Sequence, residues 1–107
     1  MMTSPITTSA LLYLSVPVSL SDELADFFRS HPELISGFTS LNANGMGPNI
    51  IFGSIVEQVQ GQSHRKLFMS EAPIGQIEEI LSILQKNYRG ADMHFWVMPV
   101  LQSGSLR

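Results

Sequence analysis

Three histidines, His31, His64 and His94, come first as candidates for chemistry, because neutral imidazole is the commonest protein ligand for transition metals. None has a second histidine at i+2, i+3 or i+4, so no metal-binding spacing is present. Two looser sets remain. Met93, His94 and Met98 carry the soft donors that suit copper(I), yet a strand would send Met93 and His94 to opposite faces. Glu57 and His64 flank a turn and face each other if the segments on either side pair as strands. A surface contact explains that pair equally well, and packing explains the methionines. His64, Glu57 and His94 are the metal candidates, with the metal left open. The chain contains no cysteine, so disulfides, thiolate metal sites and thiol nucleophiles are excluded.

The segment Val59-Gln60-Gly61-Gln62-Ser63-His64-Arg65 resembles part of the acylphosphatase signature, in which an arginine shortly after a glycine binds an acyl phosphate. Its context differs. The motif belongs between a first strand and a first helix, whereas here it runs into the strand-like Leu67-Phe68-Met69. No asparagine stands in a suitable element, since Asn87 ends a helix. A plain hairpin is the competing reading. No Ser-His-Asp order and no buried carboxylate pair is indicated; Asp22, Glu23 and Asp26 form a solvated helix face, as do Glu78 and Glu79. The expected role is therefore binding without catalysis or cofactor, the alternative being a small hydrolase of acyl phosphates.

The elements that position these residues follow from periodicity. Ala10 to Val16 reads as a strand ended by Pro17. Ser21 is placed to cap a helix with Asp22 and Glu23 in its first turn; Leu24, Phe27 and Phe28 form its apolar stripe, and Pro32 stops it near Ser30. Gly37 to Ala43 is expected as a second strand, broken by the Gly, Asn and Pro of residues 42–49. Ile55 to Gln60 and His64 to Glu71 read as extended segments joined by a turn at Gly61-Gln62-Ser63. Pro73 opens a second helix, striped by Ile74, Ile77, Ile80, Leu81, Leu84 and Tyr88, with Gly90 after its end. The order β-α-β-β-α-β predicts an α+β, ferredoxin-like domain: an antiparallel sheet with both helices on one face.

The last strand, Met93 to Leu101, is apolar on both sides: Met93, Phe95 and Val97 face one way, Trp96, Met98 and Val100 the other. With the first and last strands expected as the central pair, the uncovered sheet face would be greasy. The chain has 107 residues, is 44% hydrophobic and only 14% charged. One small domain of this kind has few layers with which to cover both faces. A homo-oligomer is expected, with Leu11, Tyr13, Phe95, Trp96, Met98 and Val100 at its interface. The loop residues Asn44, Gly45, Met46 and Gly47, followed by the apolar Ile51 and Phe52, are expected to contact a protein partner. A net charge of −3 and no basic run beyond Arg65-Lys66 argue against nucleic acid. The apolar stretch Ala10 to Val18 is too short to span a bilayer and lacks a signal peptide's basic flank, so a cytoplasmic protein is expected, not a membrane-embedded one. Residues 1–9 read as a flexible N-terminus to a single domain.

Glu33-Leu34-Ile35-Ser36-Gly37-Phe38-Thr39-Ser40, Glu57-Gln58-Val59-Gln60-Gly61, Arg65 and the tail His94-Phe95-Trp96-Val97-Met98-Pro99-Val100 resemble a small bacterial family of unknown function counted among the PII-like proteins. The likeness spans Leu11 to Leu101. It implies kinship with PII nitrogen-regulatory proteins and CutA-type cation-tolerance proteins, both typically homotrimers. Members of the small family are often encoded beside heavy-metal cation efflux pumps. The resemblance thus implies a trimeric regulatory or signal-transduction protein tied to metal homeostasis or nitrogen regulation, with a partner such as a membrane transporter. The PII phosphate loop is not matched: Tyr88-Arg89-Gly90-Ala91-Asp92 has no lysine and one glycine. The long loop holds no tyrosine for uridylylation. ATP and 2-oxoglutarate binding are therefore not carried over.

Overall fold

Strand β1 (Ser9–Pro17) alternates half-buried and buried residues along its whole length, as a strand covered on one face must. The computed structural model describes residues 9–47 and 52–107. After β1 come a single 3-10 turn (Val18–Leu20), helix α1 (Ser21–Arg29), strand β2 (Thr39–Gly45), a short helix α2 (Ile55–Gln60), strand β3 (Ser63–Pro73), helix α3 (Ile74–Asn87) and strand β4 (His94–Pro99). All pairings are antiparallel and the strand order is β2-β3-β1-β4. This is the expected ferredoxin-like fold, with one further helix.

Several expectations change. The central pair is β1 with β3; β4 lies at an edge. The reason is that β3 and β4 take the two edges of β1, and β2 then adds to the outer edge of β3, which leaves β4 paired on one side only. Ile55 to Gln60 is helical, because Ser54 accepts a hydrogen bond from the Glu57 amide and Gly61 supplies a left-handed C-cap at φ 68°. Ser21 is not the N-cap of α1. Leu20 is, while the Ser21 hydroxyl donates to the Val18 carbonyl and closes the preceding turn. Strand β2 also runs on to Gly45, so Asn42 to Gly45 belong to the ladder rather than the loop. Of the N-terminal segment, Ser9 is already in β1 and residues 1–8 lie outside the described residues.

The core lies between the sheet and α1 and α3. Ala10, Leu12, Leu14 and Val16 of β1 and Phe68 and Ala72 of β3 meet Leu24 and Phe28 of α1 and Ile77, Ile80 and Leu84 of α3. Phe28, Phe38 and Phe68 form a mutual aromatic cluster, with centroids 5.4 to 5.7 Å apart. Fully burying a side chain of this size, as at Phe28 and Phe68, contributes about 1.5–3 kcal/mol.

Candidate interaction face

The face of the sheet away from the helices is the candidate site. Strand alternation and register place its residues in rows that cross the sheet. Met69, Tyr13 and Trp96 form one row and Glu71, Leu11 and Met98 the next. Leu41 and Leu67 extend the apolar surface toward β2. Trp96 is 47% exposed and Met98 39%. These side chains are not shielded within the protomer.

This face is concave. A cavity of about 740 Å³ lies over it, lined by Tyr13, Leu67, Trp96 and Met98, by Arg65 and Asp92 at one end, and by Asn44 to Gly47 along one wall. That volume falls within the usual range for small-molecule sites, roughly 300–1,000 Å³. His94 lines the same cavity and meets Trp96 edge-on, with ring centroids 4.4 Å apart.

The polar end is tightly built. Arg65 is only 5% exposed. Its Nε donates to the Ser15 hydroxyl at 3.0 Å and its Nη1 to the Asp92 carboxylate at 2.8 Å. Its Nη2 donates to the Ser15 and Asp92 carbonyls, at 3.1 and 2.9 Å. A guanidinium has five N–H donors, and most are used here. Arg65 therefore ties β3 to β1 and to the turn before β4, and offers no open fork to an acyl phosphate. That removes the acylphosphatase reading of the segment. Ser15 and Asp92 were missed by sequence reasoning. Spacing gave no signal for them, because the need for acceptors around Arg65 follows only from its burial.

The metal candidates separate. Glu57 and His64 do come together, Oε2 to Nδ1 at 4.0 Å, but across the α2–β3 turn rather than a hairpin. Glu57 also accepts the Gly53 amide at 2.8 Å, and His64 Nε2 lies 3.1 Å from the Gln60 side-chain oxygen. The Gly53 amide holds the Glu57 carboxyl below its ordinary value; burial is the next effect and opposes it, and the His64 amide, the His64 ring and Arg65 lower it further. His94 stands on the other side of the sheet, in register with Ser15. Among the described residues no cluster of three or more His, Asp or Glu side chains is placed to hold a metal.

The loop and interface residues are also divided. Asn44, Met46 and Gly47 are exposed, Gly45 and Phe52 half-buried, and Ile51 lies outside the described residues. Leu11, Tyr13, Trp96 and Met98 share the open face, with Val100 half-buried just beyond β4. Phe95 does not join them. It pairs with Leu14, points to the helix side, and remains 53% exposed there because α3 does not reach over the edge strand.

A profile described as "Protein of unknown function (DUF3240)" matches residues 6–107. The chain belongs to the DUF3240 family. A comparison with curated proteins found no match. Among solved structures, this DUF3240 chain is similar to a DUF3240 protein from Shewanella baltica OS155, with 24% identity and TM-score 0.74 over 94% of this chain and 99% of that one. It is also similar in fold to CPII from Thiomonas intermedia K12, a nitrogen regulatory PII-like protein bound to ADP, AMP and bicarbonate. That match has 11% identity and TM-score 0.68 over 92% of this chain and 96% of that one. A third likeness is to CutA from Synechococcus elongatus PCC7942, complexed with Bis-Tris, at 13% identity and TM-score 0.69 over 90% and 83%. No helix among the described residues of the DUF3240 chain is long and apolar enough to cross a membrane.

Proposed function

We propose that this DUF3240 protein is a PII-like regulatory protein that works by binding. It assembles as a trimer through the open sheet face and sits in the cytoplasm. The end of its β2, with Asn44 and Gly45, and the β2–α2 loop after it, with Met46, Gly47, Ile51 and Phe52, contact a protein partner such as a membrane transporter. The link runs to metal homeostasis or nitrogen regulation.

One observation carries this reading. The cavity on the open face is walled on one side by half-buried Tyr13 and exposed Trp96, and on another by the end of β2 and the first residues of the loop after it. Whatever fills that cavity, a neighbouring copy or a small molecule, touches both. Assembly and loop position are then coupled through shared contacts, as a binding regulator requires. The fold likeness to CPII and CutA supports the class. The nucleotides held by CPII are not transferred, because the turn before β4 has no lysine and its Asp92 is committed to Arg65.

Light scattering on the purified chain tests the assembly, with three times the protomer mass expected; a folded monomer at micromolar concentration would sink it. Capture from native lysate with and without added divalent cations tests the partner. A transporter retained in one condition only supports the regulatory role, and none in either removes it.

A further inference from the structure

Helix α2 is inside out. Ile55, Val56 and Val59 face solvent, Val59 at 82% exposure, while the helix's one charged residue, Glu57, is buried. The arrangement is specified at both ends. Ser54 and Glu57 exchange caps with the amides of Glu57 and Gly53, and Gly61 closes the C-terminus. A short helix held this firmly with its apolar residues in water is shaped for contact with another surface.

Among the described residues there is also an open apolar hollow. A groove of about 480 Å³ runs between α3 and β4, floored by Leu81, Leu84, Met93 and Phe95, with Tyr88 at one end. Three placements relate the two surfaces. Helix α2 follows β2, at one edge of the sheet, and the groove borders β4, at the other. Both lie at the same end of the strands, where β2 and α3 finish and β3 and β4 begin. Both lie on the helix side: His64, which contacts Glu57, has the strand parity of buried Phe68, and Phe95 pairs with buried Leu14. Two apolar surfaces at one level, on one side and at opposite edges are what a head-to-tail ring joins.

We propose that α2 of one copy seats in the α3–β4 groove of a second copy, each protomer giving its helix to one neighbour and its groove to the other. The inference rests on the assembly proposed above, and adds a contact that the open face alone does not require. It also makes α2 a reporter of assembly, since a helix seated in a neighbour is unavailable to any other partner.

The absence of cysteine makes the test direct. Val59→Cys and Ser82→Cys each place one thiol on an exposed position, in α2 and at the groove rim. With a short bismaleimide, the double variant is expected to yield covalent species up to the mass found by light scattering, while each single variant yields none. In the oligomer, the Val59→Cys thiol is expected to react with a monofunctional maleimide at least about tenfold more slowly than under dissociating dilution, as burial of the contact implies. An oligomer of unchanged mass without cross-links overturns the contact and spares the assembly. So does a Val59→Cys thiol that reacts at the same rate in both states, which leaves α2 free for a different protein. Cross-linking by Val59→Cys alone overturns it too, since helix would then meet helix. A monomer by light scattering takes down both readings together.

Discussion

The two faces of β1 are built from the same residue types and have opposite fates. Leu12 and Leu14 are sealed under α1 and α3, whereas Tyr13, between them, looks onto an open cavity beside Trp96 and Met98, and Leu11 lies on the same open face opposite Met98. Strand geometry makes the alternation inevitable, but only the helices decide which side is core. The covered face therefore carries the stability of the protomer. The open face is the one left for the contacts proposed above.

Substitutions that respect this division have graded effects. Phe28→Ala, which empties the centre of the aromatic cluster, is expected to cost about 3–5 kcal/mol in denaturant unfolding and to leave little folded protein. A loss below about 1 kcal/mol would mean that the covered face is not the stabilising one. Arg65→Ala reaches across the division, because the guanidinium ties β1, β3 and the turn before β4 together. Asp92 is partly exposed, so water offsets some of its lost partner. A cost of about 2–3 kcal/mol is expected by the same measurement, with the Asp92 turn loosened in hydrogen exchange.

Trp96→Glu sharpens the comparison from the other side. Protomer stability at a concentration where wild type is dissociated should change by less than about 1 kcal/mol, while light scattering loses the oligomer. A variant that keeps its mass would show that the open face is not the interface. The smallest effect belongs to Glu57. A carboxyl whose folded pKa lies below its ordinary value of 4.5 stabilises α2 above that value and loses the contribution as pH falls through the lower, folded one. Below pH 4.5, amide exchange at Gly53 and through α2 should therefore accelerate before the sheet does, and Glu57→Gln should weaken the same amides at neutral pH.

The main elements were legible because their periodicity is strong. The i, i+3, i+4 stripe of α3 and the alternation of β1 required no tertiary information. Where reading failed, local chemistry outweighed pattern. Ile55-Val56-Glu57-Gln58-Val59-Gln60 has a β-branched composition that favours a strand, and the Ser54 cap with Gly61 turned it into a helix. The order of the strands was misjudged for another reason: which strands pair depends on contacts between residues far apart in the chain, and two-sided hydrophobicity does not place β4 at the centre. The candidate site was read in part. Trp96 and Met98 were found as exposed apolar residues, while Ser15 and Asp92 carry no signal until a buried guanidinium stands between them.

Composition and spacing alone determined that this chain has an α+β fold, carries no cysteine and has more apolar strand surface than two helices can hide. Those properties are additive over residues or repeat within a few positions. The tertiary structure decided which greasy face stays open, that Phe95 and Trp96 serve different surfaces, and that Arg65 is a tie rather than a site. Each of these depends on what lies across the sheet or at its edge, and chain distance carries no record of that.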